Sequence, residues 1–213
     1  MESENVIKTG TTTVGIVCKD GIVLAADKRA TAGYLIASKK TEKIHQISEN
    51  IAVTMAGTAS DAQLLVKIAR AELKLKALRT GQEVSVREAA NLISRLVYDN
   101  IRKFSSIPGI SQFILAGKDS NGFGLYDLFP DGTIEECEDY MASGSGSVMA
   151  FGVLETLYKK GMSIDEGIKL AVKCLNAAIQ RDIASGSGFD VVTITNEGVK
   201  KVMEKDISAL IQA

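Results

Sequence analysis

The sequence predicts an α+β fold in which two antiparallel sheets face each other beneath helix pairs. Hydrophobic periodicity places the elements in the order strands, helix pair, strands, helix pair, strands, a segregation that disfavours alternating βαβ units. The chain has 213 residues, 46% of them hydrophobic, which suits one domain with a sizeable buried core.

Each element has a local reason. Val14, Ile16 and Cys18 alternate with other residues over 12–19, and Asp20-Gly21 then separates this run from 22–26, which is a hairpin signal. Ile51, Val53 and Met55 alternate in a further strand ending at Gly57. Thr58 is placed as an N-cap with Asp61 in the first turn, and Leu64, Ile68, Ala71, Leu75 and Leu78 recur at helical spacing until Gly81. Ser85 and Glu88 form a capping-box pattern ahead of Ala89, Leu92, Ile93, Leu96, Val97 and Ile101. After Pro108-Gly109, residues 113–118 and 123–129 read as strands joined through Asn121-Gly122, and a short strand pair is expected after Asp131-Gly132. Helical pattern returns over 147–158. It returns again after the Ser163/Glu166 capping box, through Ile168, Ala171, Val172, Leu175, Ala178, Ile179 and Ile183, with Gly186 and Gly188 as stops. Strands 191–195 and 199–203, linked by Asn196-Glu197-Gly198, precede a short tail. Ser-Gly-Ser-Gly occurs twice, at 143–146 and 185–188, and is taken as loop chemistry.

Composition narrows the function. Net charge is −1 with dispersed charges, so neither nucleic acid nor an anionic membrane surface is an expected partner. No run approaches the ~20 apolar residues that span a bilayer. The start of the chain lacks the apolar core of a secretory signal, and Cys18, Cys137 and Cys174 are widely spaced, which points to reduced thiols in a cytoplasmic protein. His45 is the single histidine and there is no CxxC pair, so no metal or other cofactor is expected.

With histidine so scarce, a hydrolase needs another base. One solution is a terminal Thr, Ser or Cys whose own α-amine accepts the proton. Gly10-Thr11-Thr12-Thr13 offers a place to make such a terminus, since Gly10 has no side chain to obstruct attack by Thr11 on the preceding carbonyl. Taken alone, three threonines equally suit the start of a β-strand.

Further motifs decide between these readings. Thr11-Thr12-Thr13-Val14-Gly15, the run from Gly21 through Asp27-Lys28-Arg29-Ala30-Thr31, Lys43-Ile44 and Ala56-Gly57-Thr58-Ala59-Ser60-Asp61 closely resemble proteasome β subunits of the archaeal type. Gly144-Ser145-Gly146-Ser147 and the run from Arg181-Asp182 through Ser185-Gly186 extend the resemblance over essentially the whole chain after Gly10. The resemblance implies the N-terminal-nucleophile hydrolase fold, a four-layer αββα sandwich. Residues 1–10 would be a propeptide removed autocatalytically between Gly10 and Thr11, and 11–213 a single domain.

By the same resemblance Thr11 is the nucleophile, Lys43 the cation that favours its reactive state, and Asp27 the residue orienting Lys43. A free α-amine titrates near pH 7.7–8.0, so Lys43 need depress it only modestly. Ser145, Asp182 and Ser185 would hold the amine, and the Gly57 N–H would stabilise the oxyanion. Peptide would lie extended against Thr31, Gly57 and Ala59, with a first side-chain pocket near Ala30, Thr41, His45, Met55, Ala59 and Gln63 that favours large apolar residues. Implied partners are proteasome α subunits, other β subunits in seven-membered rings (α7β7β7α7), unfolded protein substrates and, indirectly, an unfolding ATPase. The alternatives are a non-catalytic scaffold ring subunit, the related bacterial two-ring protease, or a binding module without chemistry. Asp27 and Lys43 beside Thr11 speak against a scaffold, which has no chemical need for all three.

Overall fold

The computed structural model describes residues 10–207, so residues 1–9 of the expected propeptide and the last part of the tail lie outside it. The first half contains β1 (Thr13–Cys18), β2 (Gly21–Asp27), β3 (Ala30–Ala32), β4 (Leu35–Ser38), β5 (Ile44–Gln46), β6 (Ile51–Thr54), β7 (Ala56–Gly57), α1 (Ala59–Thr80) and α2 (Val86–Ile101). The second contains β8 (Ser111–Asp119), β9 (Gly122–Leu128), β10 (Ile134–Glu136), β11 (Tyr140–Ser143), α3 (Ser147–Leu157), α4 (Ile164–Ile179), β12 (Gly188–Thr195) and β13 (Gly198–Asp206).

Two large antiparallel sheets form, as expected, and β3 pairs with β4 apart from them. One runs β11-β1-β2-β12-β13; the other runs β10-β9-β8-β6-β5, with β7 on β8. The strand period of two gives each sheet an inner and an outer face. Ile22, Leu24, Ala52, Ile114, Ala116, Leu125, Val192 and Ile194 meet between the sheets. On one outer face Val14, Ile16, Val23 and Ala25 pack under Leu154, Leu170, Ala171, Cys174 and Leu175 of α3 and α4. On the other, Val53, Phe113, Leu115 and Leu128 pack under Leu65, Val66, Ala69, Ile93 and Val97 of α1 and α2. The result is the αββα sandwich. Both capping boxes are made, with the Ser85 and Ser163 side chains accepting from the Glu88 and Glu166 amides.

Four local expectations are corrected. The stripe expected to seat α1 faces outward: Leu64, Leu75 and Leu78 are exposed, and Ala62, Leu65, Val66, Ala69 and Leu73 form the buried face. This helix is apolar on two sides, and periodicity alone does not say which side meets a sheet. Thr58 precedes α1 without a side-chain cap; its hydroxyl donates to the Pro108 carbonyl. α4 ends at Ile179, before the glycines, leaving Ile183 exposed in the following loop. The strand pair after Gly132 is no hairpin, because β10 joins β9 while β11 crosses to β1 in the other sheet. β3, β4 and β5 were not read at all, being three or four residues long.

Asp127 on β9 is buried and has no ion pair among the described residues, and Gln112 Nε2 reaches both its oxygens at 3.0 and 3.1 Å. Burial raises its pKa to about 6, against the Gln112 hydrogen bonds that lower it. Since the folded value exceeds the unfolded one, the carboxyl's contribution to stability is full below about pH 4 and is lost as pH rises through 6. Asp127→Asn should therefore stabilise the fold by about 2–3 kcal/mol at pH 8, or roughly 4–12 °C in Tm, with the gain vanishing near pH 4. Calorimetry at both pH values checks this; an equal shift at each would refute it.

Candidate active site

The site lies where the first strand begins and the second ends. Antiparallel pairing brings Thr13 opposite Ala26, so the next residues outward, Thr12 and Asp27, also face each other. The Asp27 amide donates to Thr12 O at 3.1 Å, and the Thr12 amide returns a bond to Asp27 Oδ1 at 2.9 Å. Oδ1 also accepts from Lys43 Nζ at 2.7 Å, while Oδ2 accepts from the Arg29 and Gly186 amides at 3.0 and 2.9 Å. A buried carboxylate is tolerable when its lone pairs are satisfied in this way.

Lys43, just before β5, is equally buried. Burial lowers its pKa below the ordinary lysine range, with the Asp27 charge and hydrogen bond working against that loss. Its ammonium also lies 3.5 Å from the Gly10 carbonyl oxygen.

Thr11 is only 5% exposed. Its hydroxyl donates to that same Gly10 oxygen at 2.7 Å, and its amide donates to Ser145 Oγ at 3.2 Å. Ser145 in turn donates to Asp182 Oδ2 at 2.6 Å. Ser185 donates to the same oxygen at 2.6 Å and pairs with the Thr12 hydroxyl at 2.7 Å. The two Ser-Gly-Ser-Gly loops, one after β11 and one before β12, thus converge on the amide side of Thr11. Gly144, with φ +89°, permits this closeness, since a Cβ there would overlap the Thr11 carbonyl.

Of the residues expected to contact peptide, Thr31 is placed most clearly: its Oγ1 accepts from the Gly10 amide at 3.2 Å. That contact is through the Thr31 side chain. Gly57, at the end of β7, has φ +102°, and a Cβ there would overlap the Ile110 carbonyl, so glycine is required for backbone reasons as well. Met55 is buried, and its amide donates to the Lys43 carbonyl at 2.9 Å. His45 sits two residues beyond Lys43 on β5, opposite Val53, with burial lowering its pKa. Ala30 and Thr41 are half-buried, whereas Ala59 and Gln63 lie exposed on the first turns of α1.

Sequence reasoning missed Thr12, Arg29 and Gly186. The Arg29 and Gly186 amides and the Thr12 amide hold Asp27, and the Thr12 hydroxyl meets Ser185. Backbone donors leave no signature in residue type, so only Thr12, inside the threonine run, could have been suspected.

A family model described as proteasome subunit matches residues 7–194 of the chain. Among relatives, a protein named proteasome subunit beta from Methanopyrus kandleri is 43% identical over 99% of this chain and 100% of its own. Proteins of the same name from Methanocaldococcus vulcanius and Ferroglobus placidus are 44% and 42% identical over 95% of this chain, covering 89% and 95% of theirs.

Proposed function

The chain belongs to the proteasome subunit family, as a β subunit of the archaeal type, and from that premise we propose that it is a threonine-type peptidase that frees its own nucleophile. It is a hydrolase of peptide bonds that assembles with other subunits into a proteasome core; the chemistry within that frame is our reading. One observation carries it. The Thr11 hydroxyl and the Lys43 ammonium both lie against the carbonyl oxygen of Gly10, the residue whose bond to Thr11 must break.

Self-cleavage follows from this placement. Thr11 Oγ1 attacks the Gly10 carbonyl carbon, its proton passes to a neighbouring base, and the carbonyl oxygen becomes an anion that Lys43 stabilises. The C–N bond breaks as the Thr11 nitrogen takes up a proton, leaving an ester between Gly10 and the Thr11 oxygen. Water then hydrolyses the ester, releasing a Gly10 carboxylate and a free Thr11 α-amine. Before this step the nitrogen is an amide whose lone pair is delocalised into the carbonyl, so it cannot serve as the base.

After cleavage the α-amine serves as base for its own hydroxyl. Ser145 already accepts from that nitrogen and is fixed by Asp182, so the amine would be held with its lone pair toward Oγ1. Lys43, kept charged by Asp27, lowers the cost of the alkoxide. The Gly57 N–H would stabilise the oxyanion of each substrate, an effect whose loss costs about 10²- to 10³-fold in other hydrolases. Thr31 would hold the residue before the scissile bond as it holds Gly10. Ala30, His45, Met55 and Ala59 would line the first pocket and favour large apolar residues.

We further assign the chain to cytoplasmic α7β7β7α7 particles that degrade unfolded proteins supplied by an ATPase. Co-expression with an α subunit tests the central step: the β chain in active particles should lose the mass of residues 1–10. Active particles with an uncut β chain would end the reading.

A further inference from the structure

We infer that Lys28 is a positioning residue for the proposed catalytic pair, and that the carboxylates of Glu204 and Asp206 at the end of β13 form the clamp that holds it. The inference rests on the reading of Asp27 and Lys43 given above and extends it to groups that touch neither substrate nor nucleophile.

Lys28 follows Asp27 directly, yet its side chain turns away from the site. Its side chain is 5% exposed, and its ammonium meets Glu204 Oε1 at 2.6 Å and Asp206 Oδ1 at 2.7 Å, both on side chains about half exposed. Its backbone holds the two loops that build the site. The Lys28 amide donates to the carbonyls of Gly186 and Gly188 at 3.2 and 3.1 Å, and its carbonyl accepts from the Thr41 amide at 3.0 Å. Gly186 is the residue whose amide fixes Asp27 Oδ2, and Thr41 lies two residues before Lys43. The Ile207 amide adds a bond to the Ser187 carbonyl at 3.1 Å, so the strand end that clamps Lys28 also ties down the same loop.

The clamp therefore decides where the Lys28 backbone sits, and that backbone decides the approach of Gly186 to Asp27. A lysine whose side chain is nearly buried, left without its carboxylates, must reach for water and drag this segment with it. Asp27 would lose one of its anchors, and Lys43 would keep its charge less firmly.

Lys28→Met retains the apolar stem and removes the charge. In assembled particles it should lower kcat on a fluorogenic peptide by ~10- to 100-fold, the scale of an approximately 1 Å misplacement, with little change in KM. The alkaline limb of the kcat–pH profile should move to lower pH, because Lys43 deprotonates more readily. Lys28→Arg should restore most of the rate. Glu204→Gln with Asp206→Asn, altering exposed groups, should shift kcat and the profile in the same directions even if Lys28→Met fails to assemble. Assembled variants with unchanged kcat and profile would overturn the inference. So would a lower rate with an unmoved profile and no rescue by arginine, or failure of both variants to assemble, either of which makes the clamp purely structural. Asp27→Asn is the control: if it stays active, the catalytic reading itself falls, independently of Lys28.

Discussion

Replacing Thr11 by alanine is expected to leave an assembled but inert particle whose β chain keeps residues 1–10. The hydroxyl is the group placed against the Gly10 carbonyl, at 2.7 Å from its oxygen, and alanine supplies nothing in its stead. Loss of a nucleophile that acts as a unit with its base costs roughly 10⁴- to 10⁶-fold, so peptide hydrolysis should fall to background. The fold should hardly notice. Among the described residues the lost hydroxyl bonds only to the adjacent Gly10, while the Thr11 backbone keeps its bonds to Ser145 and Gly146. Thr11→Ser keeps the oxygen and should still be processed. Intact mass and peptide turnover on the same preparation check the pair, and a shortened chain in Thr11→Ala would mean that another group cleaves it.

Lys43→Ala carries the second-largest expected effect. Among the described residues it removes the one cation that touches both Asp27 and the Gly10 carbonyl, so self-cleavage and hydrolysis should fall together by about 10²- to 10³-fold, as for loss of an oxyanion donor. Residual activity above about a tenth would remove the role assigned to Lys43. Stability should drop as well, because breaking a buried ion pair typically costs about 3–5 kcal/mol. The lower end is expected here: three backbone amides, of Thr12, Arg29 and Gly186, still hold the carboxylate. Native mass separates the two effects, since assembled yet inactive particles show a chemical loss. Arginine at this position should not rescue, having no room for its wider fork in a site this buried.

Much of the site was readable before the fold was known. Thr11, Asp27, Lys43, Ser145, Asp182 and Ser185 sit in short motifs whose residue types are unusual in combination, and the structure brings all six together around Thr11. The substrate-facing set was less legible. Thr31 contacts Gly10 through its hydroxyl from a strand too short to read from alternation, and Ala59 and Gln63 stand exposed at the start of α1. Nothing in residue identity marks Gly186 and Arg29 as anchors of Asp27, because each acts through an amide that every residue but proline possesses.

The sequence by itself determined the layer order and most of the strands and helices, because alternation, helical spacing and the two Ser-x-x-Glu boxes are local and read over a few residues. It also pointed to Thr11 as the proposed nucleophile, through the resemblance that the surrounding motifs carry, because a threonine run after glycine equally suits the start of a strand. Tertiary structure alone decided which apolar side of α1 met a sheet, and that β11 left its neighbour β10 to pair with β1. It alone tied the end of β13 to Lys28. Those choices depend on burying one surface against another from a distant part of the chain, and the free energy of such a contact is a property of both surfaces, which no local pattern contains.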